Sequence, residues 1–175
     1  MKLEAQLVEL RTHGWRVEAP GAGVATLSAD VLARYGGLPD ELLIFLGAFD
    51  VCANPTNDSW LVSGRDLSAP EAFRYDEFER MSLEAAEGDP AWTASIRAFW
   101  TNHFPVLISV AGSYQYFALA LNGTNKGTVV YGVEPEFEST SDVALSLSEF
   151  VSQLILAVRS EVQAFPFSQV LSRRP

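Results

Sequence analysis

The sequence holds one cysteine, Cys52, and only two histidines, His13 and His103. A lone cysteine excludes an internal disulfide and suits a reducing compartment. One Cys and two distant His give no spacing for a metal set. No Gly-x-Ser-x-Gly is present to carry a serine nucleophile, and no glycine loop is built to cradle phosphate. Cations are scarce: 12 Lys and Arg stand against 22 Asp and Glu, a net charge of −10. Nucleic acid and anionic membrane surfaces repel such a chain, so neither is expected as a partner. No apolar run reaches the roughly 18 residues that would span a bilayer. Near the N-terminus, Glu4 stands where a signal peptide would be apolar. Without export, Asn57-Asp58-Ser59 and Asn122-Gly123-Thr124 are chance glycosylation matches. The expected location is the cytoplasm.

What is present is a chain of ordinary apolar content, 48%. Its centre is the stretch 105–134. Pro-Val-Leu-Ile-Ser-Val-Ala-Gly, Ser-Tyr-Gln-Tyr-Phe-Ala-Leu-Ala-Leu and Gly-Thr-Val-Val-Tyr-Gly-Val-Glu are short runs rich in Val, Ile, Tyr and Phe. Each ends in turn residues, which predicts consecutive antiparallel strands at the centre of one sheet. The second run places Tyr114, Tyr116, Ala118 and Ala120 on one face. Phe117, Leu119 and Leu121 share the other with Gln115. Two apolar faces imply helices over much of both, or one face kept for a partner.

Around that centre the sequence predicts helices. Leu3, Leu7 and Leu10 mark the first, stopped at Gly14. Residues 17–24 read as a loop. Ser28 caps a second short helix that ends at Gly36-Gly37. Pro39 opens a third with Leu42, Phe45 and Leu46 on its buried face. Residues 52–59 read as a polar loop, followed by a short strand at 60–63. Pro70 opens a helix carrying Phe73, Tyr75, Phe78 and Met81, broken at Gly88-Asp89-Pro90. Trp92, Ile96, Phe99 and Trp100 mark another, read as core. After the acidic stretch 134–141, Ser146 and Glu149 form a capping box. The helix behind it carries Leu147, Phe150, Val151, Leu154, Val158 and Val162. The whole is expected to be one domain over 1–175, with its core at 27–158 and a tail at 165–175.

For chemistry the residues offer little. His103 as a lone general base weighs less than a capping or packing role. A catalytic carboxylate pair, as in sugar hydrolysis, is an open alternative that spacing does not locate. Trp60 follows a polar loop, so surface and core are equally open to it.

Several segments in this order resemble the SMI1/KNR4 family of the SUKH superfamily. Leu38-Pro39 followed by Phe45-Leu46 is similar to its Leu-Pro…Phe-Leu helix. Cys52-Ala53-Asn54-Pro55 through Trp60-Leu61-Val62-Ser63 resembles the loop and Trp-led strand of bacterial members. Residues 104–109 and 114–119 resemble its paired core strands, and Gly127-Thr128-Val129 its Gly-x-Val strand. Val143-Ala144-Leu145-Ser146-Leu147-Ser148-Glu149-Phe150-Val151 resembles its last helix start. Many members carry Asn-Gly after the first Phe-Leu, where this chain has Gly47-Ala48-Phe49-Asp50.

The resemblance implies an α+β fold with a central, mainly antiparallel sheet flanked by helices. It implies function by binding, with no cofactor, no metal and no catalytic motif. Bacterial members look like immunity proteins that neutralise polymorphic or contact-dependent toxins; yeast members regulate cell-wall glucan synthesis. The expectation is therefore a non-enzymatic immunity protein whose partner is a basic toxin domain. The alternatives are a regulatory scaffold for cell-wall synthesis and an enzyme with an unrecognised carboxylate pair. The expected partner-binding residues are Trp60, the tyrosines Tyr114 and Tyr116, taken as exposed, and the acids Glu134, Glu136 and Glu138. The acids would steer a cationic partner.

Overall fold

A seven-stranded antiparallel sheet organises the molecule, its strands lying side by side in the order they occur in the chain. The computed structural model describes residues 3–21, 27, 29–68, 73–160 and 164–171. The strands are β1 (Arg16–Glu18), β2 (Val51–Ala53), β3 (Ser59–Leu61), β4 (His103–Ser109), β5 (Gln115–Ala120), β6 (Val129–Val133) and β7 (Ser141–Ala144). The expected central strands are β4, β5 and β6. In register, Tyr116 of β5 faces Ile108 of β4 and Gly132 of β6. The fold is α+β.

Seven helices accompany the sheet among the described residues: α1 (Leu3–Thr12), α2 (Ala29–Tyr35), α3 (Asp40–Leu46), α4 (Glu77–Ala85), α5 (Pro90–Asn102), α6 (Leu147–Arg159) and α7 (Phe167–Val170). No described helix is long and apolar enough to cross a membrane. Every residue of β5 is buried, because helices meet both of its faces. On one face, Tyr116 packs against Phe78 of α4 and Trp100 of α5. On the other, Phe117 packs against Phe150 of α6 and Phe167 of α7. Burying one such aromatic ring contributes about 1.5–3 kcal/mol, so β5 is anchored from both sides.

Local signals explain the helix ends. Pro39 is the cap of α3 rather than its first residue, and its carbonyl accepts from Leu42 N and Leu43 N at 2.9 and 3.0 Å. In α6 the capping box forms: Ser146 Oγ accepts from Glu149 N at 3.1 Å. Glu149 Oε2 reaches back to Leu145 N, at 2.8 Å, one residue beyond the usual partner. The Ser28 cap, the Pro70 start and Val162 lie outside the described residues.

Four expectations need correction. Residues 16–18 form β1, where a loop was expected from 17. Residues 51–53 form β2 and pair with β3 through a tight turn, so 52–59 is half of a hairpin. In that turn Asn54 Oδ1 accepts from Asp58 N and Ser59 N, and Asn57 takes a φ of 60°. Such side-chain hydrogen bonds replace the longer loop that polar composition suggests. The helix expected from Pro70 begins at Glu77; Phe73 and Tyr75 precede it in a turn yet still point inward. Residues 165–171 are no tail: α7 buries Phe167, Val170 and Leu171. Ser59 Oγ donates to the Val170 carbonyl at 2.6 Å and pairs with Ser109 Oγ at 2.8 Å, tying α7 to the sheet. A buried hydroxyl needs such partners.

Candidate partner-binding site

The acidic stretch after β6 folds back over the sheet. Glu134 extends the β5–β6 pairing: its N–H donates to Tyr114 O at 2.9 Å, and its Oε1 accepts from Tyr114 N at 3.0 Å. Phe137 then turns inward and stacks on Phe78, with ring centroids 4.7 Å apart. Its carbonyl accepts a hydrogen bond from Tyr116 Oη. Glu138 Oε1 accepts from Trp100 Nε1 at 2.7 Å. The loop 134–139 is thus pinned from below by a phenol, an indole and its own aromatic anchor.

Gly132 makes this packing possible. The Tyr116 side chain lies across it, and a Cβ there would sit 2.4 to 2.5 Å from two ring carbons and the phenol oxygen. Only glycine leaves room. The expectation that Tyr116 faces a partner is therefore corrected: it is fully buried, between Trp100, Phe78 and Phe137. Burial, and secondarily the nearby Glu138, pushes its phenol well above the ordinary range, so it acts as a neutral hydrogen-bond donor.

Between this loop and the outer side of α4 runs a groove of about 660 Å³. Met81, Ser82 and Ala85 form one wall and residues 134–139 the other, with Trp92 beside them. Trp92, expected in the core, is 46% exposed. It sits in the first turn of α5, where its N–H donates to the Asp89 cap at 2.9 Å. Glu134 and Glu138 are half-buried and already hydrogen-bonded. The Glu136 carboxylate is exposed and forms no hydrogen bond or ion pair among the described residues.

A second groove, of about 500 Å³, lies over the outer strands. Trp60 and Phe73 meet there edge to face, 5.7 Å between centroids. Trp60 is half-buried, so it belongs fully to neither surface nor core. The acids around it are engaged: Asp50 Oδ2 accepts from Gly21 N, and Asp66 Oδ2 accepts from Ser63 N and Oγ. Arg16 lies 3.8 Å from Glu18, and Arg65 is exposed with no ion pair among the described residues.

Tyr114, also half-buried, joins the two grooves. It touches Phe73 on one side and Phe78 on the other. The structure therefore brings Glu134, Glu136 and Glu138 together, sets Tyr114 beside them, and places Trp60 in the neighbouring groove. Sequence reasoning missed Trp92, Met81 and Ala85. The available signal was position: Trp92 stands three residues after an Asp cap, at the exposed start of a helix. Among the described residues, no group of three or more His, Cys, Asp and Glu could hold a metal ion. His103 Nδ1 meets the Phe99 carbonyl at 2.9 Å and its ring stacks on Phe99, while burial lowers its pKa.

Fold and grooves together define an α+β domain built on an antiparallel meander, with an acid-rimmed, partly apolar groove on one helical face. The chain matches no protein-family model, and no curated protein is significantly similar to it.

Proposed function

We propose that this chain is a protein-binding domain that acts by covering a basic surface of another protein, without making or breaking a covalent bond. The observation that carries this reading is the groove beside α4. It combines an exposed tryptophan with an unpaired carboxylate, on a chain of net charge −10. Exposed aromatics are the side chains on which interfaces most often depend. A negative field accelerates encounter with a cationic partner and makes the rate fall with salt. The resemblance to the SMI1/KNR4 family narrows the reading to an immunity protein that blocks a toxin.

The experiment is co-expression of this chain with each neighbouring open reading frame. One neighbour should arrest growth alone and be silenced by this chain, through a complex whose association slows as ionic strength rises. Absence of any neutralised neighbour, or association indifferent to salt, would remove the immunity reading.

A further inference from the structure

The groove beside α4 is specific about what it can accept. We propose that it takes a short segment of the partner in which an apolar side chain is flanked by Arg or Lys. This rests on the protein-binding reading above and gives that reading an address and a chemistry.

The apolar lining comes from Met81 and Ala85 on one wall and Pro135 on the other, with Trp92 beside them. A volume of about 660 Å³ lies within the usual range for a binding cleft and accommodates an aliphatic side chain with its neighbours. No Lys, Arg or His lines it, so an anionic occupant would find no counter-charge there. Two of its three acids are already committed, Glu134 to the Tyr114 N–H and Glu138 to the Trp100 indole. Neutral N–H donors do not cancel a carboxylate's charge, so all three acids shape the groove's field, and Glu136 is the one whose oxygens are free for a direct ion pair. A guanidinium can pair with Glu136 or lie over the face of Trp92.

The neighbouring groove is less selective. Arg16 and Arg65 line it beside Glu18, Asp50 and Asp66, so its charges nearly cancel and a cationic segment gains less there than beside α4. A second copy of this chain is a poor occupant as well, since each carries a net charge of −10. The acid groove is also preformed. Phe137, Tyr116 and Trp100 hold its loop wall in place, so little ordering cost falls on binding.

The test uses the full isotope-labelled chain and two end-blocked model peptides, Arg-Leu-Arg-Leu-Arg and Glu-Leu-Glu-Leu-Glu. Titration of the basic peptide should shift the Trp92 indole, the Met81 methyl and the Glu136 amide, and leave the Trp60 indole in place. The acidic peptide should shift none of them. Glu136→Lys and Trp92→Ala should each weaken binding by at least about tenfold. Glu4→Gln, which removes a negative charge on the exposed side of α1 away from the groove, should leave it within about twofold.

Three results would overturn the proposal: shifts centred on Trp60 and Arg65, equal binding of the acidic peptide, or self-association that covers Trp92. Each would leave the partner-binding reading standing if a neighbouring gene product is still neutralised. Conversely, a groove that binds the basic peptide in a chain that neutralises nothing would remove the immunity reading and keep the site.

Discussion

The two grooves share a foundation and differ in what they leave unsatisfied. Both sit on one aromatic layer that runs from Trp60 through Phe73, Phe78 and Phe137. Over β1–β3, backbone N–H groups and a hydroxyl consume Asp50 and Asp66, and a guanidinium remains. Beside α4, a tyrosine N–H and an indole consume Glu134 and Glu138, and a carboxylate remains. The grooves thus differ in which charged group is left free to pair, and in net charge, since cations line only the outer one.

Removing the shared foundation should break both grooves at once. Phe78→Ala takes away a fully buried ring that touches Phe73, Tyr114, Tyr116 and Phe137. A loss of about 3–5 kcal/mol is expected in urea unfolding. A loss under about 1 kcal/mol would mean that the layer does not support them.

Gly132→Ala should break only one. Its methyl collides with the Tyr116 ring, and overpacking of this kind costs about 1–3 kcal/mol. Amide shifts should concentrate at Phe137 and Trp100, with the Trp60 indole unmoved. A spread of equal size into β1–β3 would show the two grooves to be one mechanical unit.

A finer separation concerns Glu138. Glu138→Ala leaves the Trp100 indole without its acceptor and should cost about 1 kcal/mol, whereas Glu138→Gln should be close to neutral. Equal losses from both would assign the effect to charge.

Cys52 reports on the depth of the outer groove without changing stability. It lies along that groove yet is only 1% exposed, and burial pushes its thiol up to about 12. At pH 8 the native chain should therefore resist a thiol reagent and react only once denatured. Rapid native labelling would show that the outer groove opens down to β2.

How much of this could be read in the sequence depended on element length. β4, β5 and β6 announced themselves because each run is long enough to show both its apolar content and its turns. β1 and β2 have three residues each and β7 has four, too few for an alternation to register; β3 is as short, but it was legible because Trp60-Leu61 runs on into the apolar Val62. Phe73 and Tyr75 imitated helical spacing because a turn outside α4 also points them inward. For Tyr116, alternation assigned the face correctly. Exposure went wrong because α4, α5 and Phe137 close over that face, and only tertiary packing reveals a lid. The acids of 134–138 were legible as a patch. Their division into two spent and one free was not, since their partners Tyr114 and Trp100 come from separate elements.

The sheet's strand order has a consequence for how the chain comes together. Each ribbon lies against the one made just before it, so growth can proceed edge by edge as the polypeptide leaves the ribosome. No strand waits for a slot between two finished neighbours. The exception is the closing stitch, in which the hydroxyl of Ser59 meets the carbonyl of Val170. That seam joins the β2–β3 hairpin to α7, so it is set only after every strand of the sheet has been made.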